Sequence, residues 1–425
     1  MGRWGHLAAL VGGGAALLAG AFFIMSKQTA GPGSVVATAT PVITPVSFTD
    51  LTGWEDDAPM AALPPLALSC ERLVQRADNQ PVNARETLDI GDGPVQLAGV
   101  IADWRPFCEA VLQMAELPGT DNDTVRTLFE DMTVPVRISM TGTLQAPLIT
   151  GYFEPIYPAA RVPTDGMVPV LTQPDDIITA DLGAFSDELA GRQVLGRVIG
   201  NSFVPYADQE EIITTPPRSS QPLGYLDPND LLFMQIQGSG RLRYADGTEE
   251  RVGYAGKNGR AYVAIGRSLV REGHLALEDV TMQSIEEWLI NAAPEDAARI
   301  RYSNPSYVFF RPLDNLPDPA LGPIGAQGLQ LTPGRSIAID PRYYPYGAPV
   351  FLELPEDSAA PFEHRLMVAQ DTGGAIRGTQ RADIFFGPGD DAAALAGRMN
   401  APGTLTLLLP RPAFDRYQNA PTTEE

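Results

Sequence analysis

Two aspartates twelve residues apart, Asp371 and Asp383, flank a stretch reading DTGGAIRGTQRADIFFG that contains four glycines, two arginines and an aromatic pair. Carboxylates at that spacing can ligate a metal, act as general acid and base, or belong to two unrelated turns. Few other residues offer chemistry. The chain has three histidines (His6, His274 and His364), none in an HExxH or comparable spacing, which argues against a histidine metal site or a Ser-His-Asp triad. There is no Walker A motif, and GGAIRG lacks the GxGxxG spacing, so its glycines read as turn or close-approach positions. Neither a metal nor a cofactor is expected. Chemistry here rests on carboxylates.

The elements that must position them are mostly short strands. Proline (39) and glycine (41) are both plentiful, which suits strands joined by tight turns better than long helices. Between residues 329 and 409 the apolar runs are brief and turn-bounded: SIAIDPRYYPYG, APVFLELP, RLMVAQDTGG, ADIFFG and LTLLLPR. They predict a compact β barrel. Upstream, VPVRISMTG, LQAPLITGYFEPIY, MVPVLTQ, RQVLGRVI and NPSYVFFRPL read as extended, as does DLLFMQIQGSGRLRYADG, which turns at Ala245-Asp246-Gly247. Along that last run Gln235, Gln237, Ser239 and Gly240 form a polar face on an otherwise apolar strand. DTVRTLFEDM, VAIGRSLVREG and LEDVTMQSIEEWLINA carry helical periodicity.

At 425 residues the chain is long enough for two domains with separate cores. A formal charge of −22 argues against nucleic acid as a partner. It also argues against an anionic membrane surface, so membrane contact requires an apolar anchor. Leu7 to Met25 is an uncharged run that as a helix would span roughly 28 Å, about a bilayer core. It reads as a membrane anchor or as a cleaved signal peptide with an Ala19-Gly20-Ala21 site; either way the body of the protein is exported. Residues 26–62, rich in Thr, Ala, Val and Pro, read as a tether. The two cysteines fall on helical faces, Cys70 with Leu66 and Leu73, and Cys108 with Trp104 and Val111 behind an Asp103 N-cap. Both would serve as small core residues; in an oxidising compartment a disulfide between the helices is the preferred reading.

Six motifs in this order resemble the membrane-bound lytic murein transglycosylases of the A type: TGYFEP (150–155), MQIQGSGRL (234–242), YAGKNGR (254–260), NPSYVFF (304–310), AIDPRYYPYG (338–347) and the Asp371–Gly387 stretch. The resemblance spans roughly residues 65–412, and Asp340, Asp371 and Asp383 match the trio that names the family's three-aspartate domain. It implies a mainly β fold, a double-psi β barrel built from residues 63–155 and 315–413, with a second β domain inserted at 156–314 and a disordered tail from 414. It implies a groove holding a peptidoglycan glycan strand, and cleavage of the β-1,4 bond between N-acetylmuramic acid and N-acetylglucosamine without water, leaving a 1,6-anhydro ring. Exported murein enzymes of this kind work in the Gram-negative periplasm, which also raises a cell-wall synthesis or division complex as a partner.

The family's catalytic acid maps onto Asp383. Glycosidic cleavage needs a proton on the leaving oxygen, and the resulting carboxylate can then accept the proton of the attacking C6 hydroxyl. That acid role calls for a raised pKa, expected from desolvation beside Phe385 and Phe386. Asp371, with Gly373 and Gly374, is expected to shape the catalytic loop, and Asp340 to be structural. Thr150, Tyr152, Gln235, Gln237, Ser239, Gly240, Lys257 and Asn258 are expected along the substrate groove. Two other readings fit parts of the chain: a two-carboxylate muramidase with Glu154 or Asp371 as the second group, and a non-catalytic expansin-like wall-binding module.

Overall fold

The computed structural model describes residues 40–83, 88–89, 94–141, 146–189, 193–314, 316, 318, 320–374 and 376–419. The Leu7–Met25 anchor or signal segment, residues 26–39 of the 26–62 tether and residues 420–425 lie outside them. Among the described residues no helix is long and apolar enough to cross a membrane.

The architecture is mainly β. Nine strands hydrogen-bond in the order Pro41–Pro45, Thr133–Met140, Thr404–Pro410, Pro349–Glu353, His364–Asp371, Ser336–Ile339, Arg381–Pro388, Leu148–Glu154 and Asn400–Ala401. Two neighbour pairs are parallel, Ser336–Ile339 with His364–Asp371 and Arg381–Pro388 with Leu148–Glu154; the others are antiparallel. Among the described residues this order runs from one edge to the other and does not close on itself. Leu405, Leu407, Leu408 and Leu409 are all buried, because the LTLLLP strand is covered on both faces. Part of that cover comes from the helices Leu63–Val74, Ile101–Glu116 and Asn122–Met132, whose Leu66, Trp104, Phe107 and Phe129 join the same core. A Cys70–Cys108 disulfide joins the first two. Asp103 is not the N-cap of the second helix; it sits in its first turn and accepts from the Val100 N–H at 2.9 Å.

Three regions depart from the sequence reading. The tether ends before residue 40: Pro41–Pro45 pairs with Thr133–Met140, and Trp54 is 2% exposed, edge-on to Phe351. Isolated aromatic and apolar residues without periodicity concealed this segment, which packs through tertiary contacts alone. The tail does not begin at residue 414, since a helix runs over Arg411–Gln418, buries Phe414 and pairs Arg416 with Asp103 at 2.6 Å. And MQIQ is helical: Pro228–Gln237 is capped by the Asp227 side chain, opens with Pro228 and ends at Gly238 in the left-handed conformation (φ +81°). Those caps override the strand-like alternation of the glutamines.

Between the Leu148–Glu154 and Ser336–Ile339 strands the chain builds a second lobe. Its four-stranded sheet runs Val308–Pro312, Glu249–Lys257, Ser239–Arg243, Ile156–Pro158, beside a two-stranded and a three-stranded sheet. Its interior separates into two apolar clusters, one around Tyr307 and Phe309, the other around Leu269 and Ile285.

Candidate active site

Asp383 lies on the strand Arg381–Pro388, paired through Ala338 on one side and Thr150 on the other. In a strand, alternate residues share a face, so Arg381, Asp383 and Phe385 point one way and Phe386 the other. Thr150 and Tyr152, on the parallel neighbour, point the same way as Asp383 and Phe385. The Thr150 hydroxyl donates to Asp383 Oδ1 at 2.6 Å, and the Tyr152 ring packs on Phe385 with centroids 5.3 Å apart. Phe386 lies on the opposite face, over Gly151, where a Cβ would come within 2.4 Å of its ring. Only one ring of the aromatic pair therefore shares the face of Asp383.

Asp383 is 8% exposed. Burial raises its proton affinity, the buried Arg381 guanidinium and the Thr150 hydroxyl pull it down, and the charge of Asp371 pushes it up again; the net direction is upward. Asp371, at the end of the strand His364–Asp371, has both oxygens occupied. Tyr152 Oη donates to Oδ2 at 2.8 Å and the Ala326 N–H to Oδ1 at 2.9 Å. Burial raises its pKa too, with those donors opposing. The Tyr152 phenol is driven well above its ordinary pKa by burial and by Asp371, so it stays a donor. Gly373 turns the following loop by accepting from the Ile376 N–H and Arg377 Nη1, while Gly374 is exposed.

Asp340 is fully buried. Burial opposes its ionisation, but the Arg342 guanidinium and the N–H groups of Gly378 and Arg342 hold the carboxyl below its ordinary range. It thereby ties the start of one loop to the glycine-rich segment. Glu154 is also fully buried and lies between two arginines, Arg241 Nε at 2.8 Å and Arg251 Nε at 3.2 Å. Among the described residues no group of three or more His, Cys, Asp or Glu side chains could hold a metal ion.

The expected groove residues divide. Thr150 and Tyr152 contact the aspartates directly. Gln237, with Gly151, Phe153, Phe233, Glu286 and Asp390, lines a cavity of about 350 Å³ between the lobes, on the face of the Leu148–Glu154 strand opposite Thr150 and Asp383. Gln235 is 9% exposed, and neither its amide oxygen nor its amide nitrogen has a hydrogen-bond partner. Ser239 and Gly240 open the strand that follows, and Lys257 is exposed at the end of its own strand. Asn258 is different. It is fully buried in the second lobe; its nitrogen donates to the carbonyls of Ala207 and Pro305, and its oxygen accepts from the N–H groups of Tyr307 and Arg260. No atom of that amide is left for a ligand, so Asn258 is a structural residue. Arg381 escaped the sequence reading although its place two residues before Asp383 on a strand puts it on the same face. The Ala326 N–H carries no sequence signal.

Residues 148–311 match the model described as the MltA specific insert domain, and residues 335–409 the 3D domain. The membrane-bound lytic murein transglycosylase A of Escherichia coli strain K12 is 37% identical over 189 residues, 43% of this chain and 50% of that protein. The match thus spans about half the length of that curated relative. A crystal structure of MltA from Neisseria gonorrhoeae, monoclinic form, is 31% identical with a TM-score of 0.70, over 87% of this chain and 93% of that one. Escherichia coli MltA with bound chitohexaose is 26% identical with a TM-score of 0.54, over 73% of this chain and 84% of that one. With the two domain matches in sequence and nearly the whole Neisseria structure reproduced, the chain belongs to the membrane-bound lytic murein transglycosylase A family.

Proposed function

We propose that this protein is a lytic transglycosylase that cleaves the β-1,4 bond between N-acetylmuramic acid and N-acetylglucosamine in peptidoglycan and leaves 1,6-anhydromuramic acid ends. The observation that carries the reading is the Asp383 carboxyl, buried, raised in proton affinity and held through one oxygen by Thr150. Held that way, it keeps its other oxygen for a substrate. Protonated Asp383 gives its proton to the leaving O4 as the C1–O4 bond breaks. The C6 hydroxyl of the same muramic acid then bonds to C1, and the Asp383 carboxylate takes the hydroxyl proton. The carboxyl returns to its starting state and no water is consumed.

The surrounding groups favour one carboxyl used twice over two carboxylates and a water. Both oxygens of Asp371 are occupied by Tyr152 and Ala326, and Glu154 is buried between two arginines. Asp371, with Gly373 and Gly374, supports the catalytic loop in this reading. The glycan is placed between the lobes in this reading; that the Escherichia coli relative binds chitohexaose supports a glycan ligand. Gln235, Gln237, Ser239, Gly240 and Lys257 are the contacts proposed for it.

The remaining assignments belong to the same proposal. The nine-stranded sheet, mixing parallel and antiparallel neighbours, corresponds to a double-psi barrel domain that receives the second lobe as an insert. The protein works in the periplasm, attached or delivered through its N-terminal apolar segment, and alongside the wall-synthesis machinery.

Digestion of purified sacculi in ¹⁸O-labelled water tests the chemistry. The expected products end in unlabelled anhydromuramic acid, lighter than reducing ends by one water. Labelled reducing ends as the first product would overturn the reading in favour of a muramidase.

A further inference from the structure

The Ala326 N–H that holds Asp371 comes from a loop with its own buried support. Ser69, on the disulfide-joined helix Leu63–Val74, is fully buried, and its hydroxyl lies 2.9 Å from Gln327 Oε1 and 3.0 Å from the Pro65 carbonyl. One hydroxyl proton cannot serve both. The Pro65 carbonyl has a second donor in Gln370 Nε2 at 3.0 Å, so both acceptors are satisfied when the Ser69 proton goes to Gln327. Gln370 Nε2 donates to Ser69 Oγ as well, at 3.0 Å, and Gln370 Oε1 accepts from Ser336 at 2.5 Å. On the main chain, the Gln327 N–H donates to the Gln370 carbonyl at 3.0 Å. Gln327 directly follows Ala326, and Gln370 directly precedes Asp371.

Apolar side chains of similar size would fill this volume at lower desolvation cost. A buried polar network instead favours one arrangement of the segments it joins. Here the segments are the helix, the Asp371 strand and the Ala326 loop. We propose that Ser69 and Gln327 are positioning residues for the glycan-cleaving reaction: they dock the loop so that the Ala326 N–H meets Asp371, which in turn orients Tyr152 beside the catalytic face. The proposal rests on the reading of Asp371 and Asp383 given above.

Removing the dock withdraws a donor from Asp371, and that donor lowers the Asp371 pKa. Ser69→Ala and Gln327→Met, assayed as purified full-length protein on soluble murein glycan fragments, are expected to lose about tenfold in kcat, the equivalent of about 1.4 kcal/mol. KM stays near the parent value, and the acidic limb of the pH profile moves to higher pH. A lower melting temperature with unchanged kcat and an unshifted limb would reduce both residues to packing and overturn the proposal. If Ser69→Ala does not fold, the same readouts on Gln327→Met decide. Asp383→Asn, run in parallel, separates the two levels. Turnover by that variant defeats the site assignment itself. An inactive Asp383→Asn beside a parent-like Ser69→Ala defeats only the positioning role.

Discussion

Replacing Asp383 by Asn should abolish turnover and at the same time relieve the fold at alkaline pH. The side chain is nearly isosteric, and its carbonyl can still accept from the Thr150 hydroxyl that now bonds Asp383 Oδ1 at 2.6 Å. What is lost is the transferable proton, a role worth about 10²–10⁴-fold in rate. The stability effect follows from linkage. Burial raises the Asp383 pKa in the folded state despite the pull of Arg381 and Thr150, so the native protein holds its proton to higher pH than the unfolded chain. The parent therefore loses stability as pH rises from the ordinary aspartate value of about 3.9 through the folded value, at about 1.4 kcal/mol for each unit of separation. The amide variant does not titrate and escapes that loss. Thermal melts of both proteins at pH 4 and pH 8, beside release of soluble muropeptides from sacculi, read the two effects together. The stability difference should move in favour of the variant between pH 4 and pH 8. A difference that moves the other way, or turnover above about a hundredth of the parent, would refute the argument.

Three further outcomes follow from neighbouring contacts. Tyr152→Phe removes a hydrogen bond to a carboxylate worth about 1.5–3 kcal/mol; it should raise the Asp371 pKa further and move the acidic limb of the activity profile upward, as pH–rate measurements would read. Substituting both cysteines by Ala opens the 38-residue span between Cys70 and Cys108; chain entropy sets the loss at about 4 kcal/mol, measurable by urea unfolding. Glu154→Gln leaves Arg241 and Arg251 without their shared carboxylate in a buried site, and should cost about 3–5 kcal/mol in the same assay.

Most of the nine-stranded sheet was legible because most of its strands are short apolar runs closed by a turn, and period two needs no partner to be recognised. The Ala245-Asp246-Gly247 turn was legible for the same reason: Gly247 takes φ +83° and the strands Ser239–Arg243 and Glu249–Lys257 pair across it. The Pro228–Gln237 helix was misread because glutamines two apart imitate a strand, while the signals that mattered, Asp227-Pro228 and Gly238, lie outside the alternation. Trp54 and Phe414 lacked periodic neighbours, and their burial depends on partners far along the chain. The site shows the same division. Asp371 and Asp383 stand out by spacing and by family pattern, but the Thr150 hydroxyl that holds Asp383 lies 233 residues away. Asn258 sits in a polar motif that suited a ligand contact, and only the second-lobe interior shows all its hydrogen-bonding capacity already used.

The chain passes between its lobes twice, and both passages are gripped by one hairpin. Arg241 bonds the outgoing passage at Glu154 and, through its N–H, at the Pro155 carbonyl. Arg251 reaches Glu154 as well, and also the returning passage, where its carbonyl accepts from the Leu313 N–H and its guanidinium donates to the Leu321 carbonyl. Two covers bound along a single spine are held against sliding past one another. The register of the lobes thus rests on one buried carboxylate shared by two guanidiniums, Glu154 with Arg241 and Arg251.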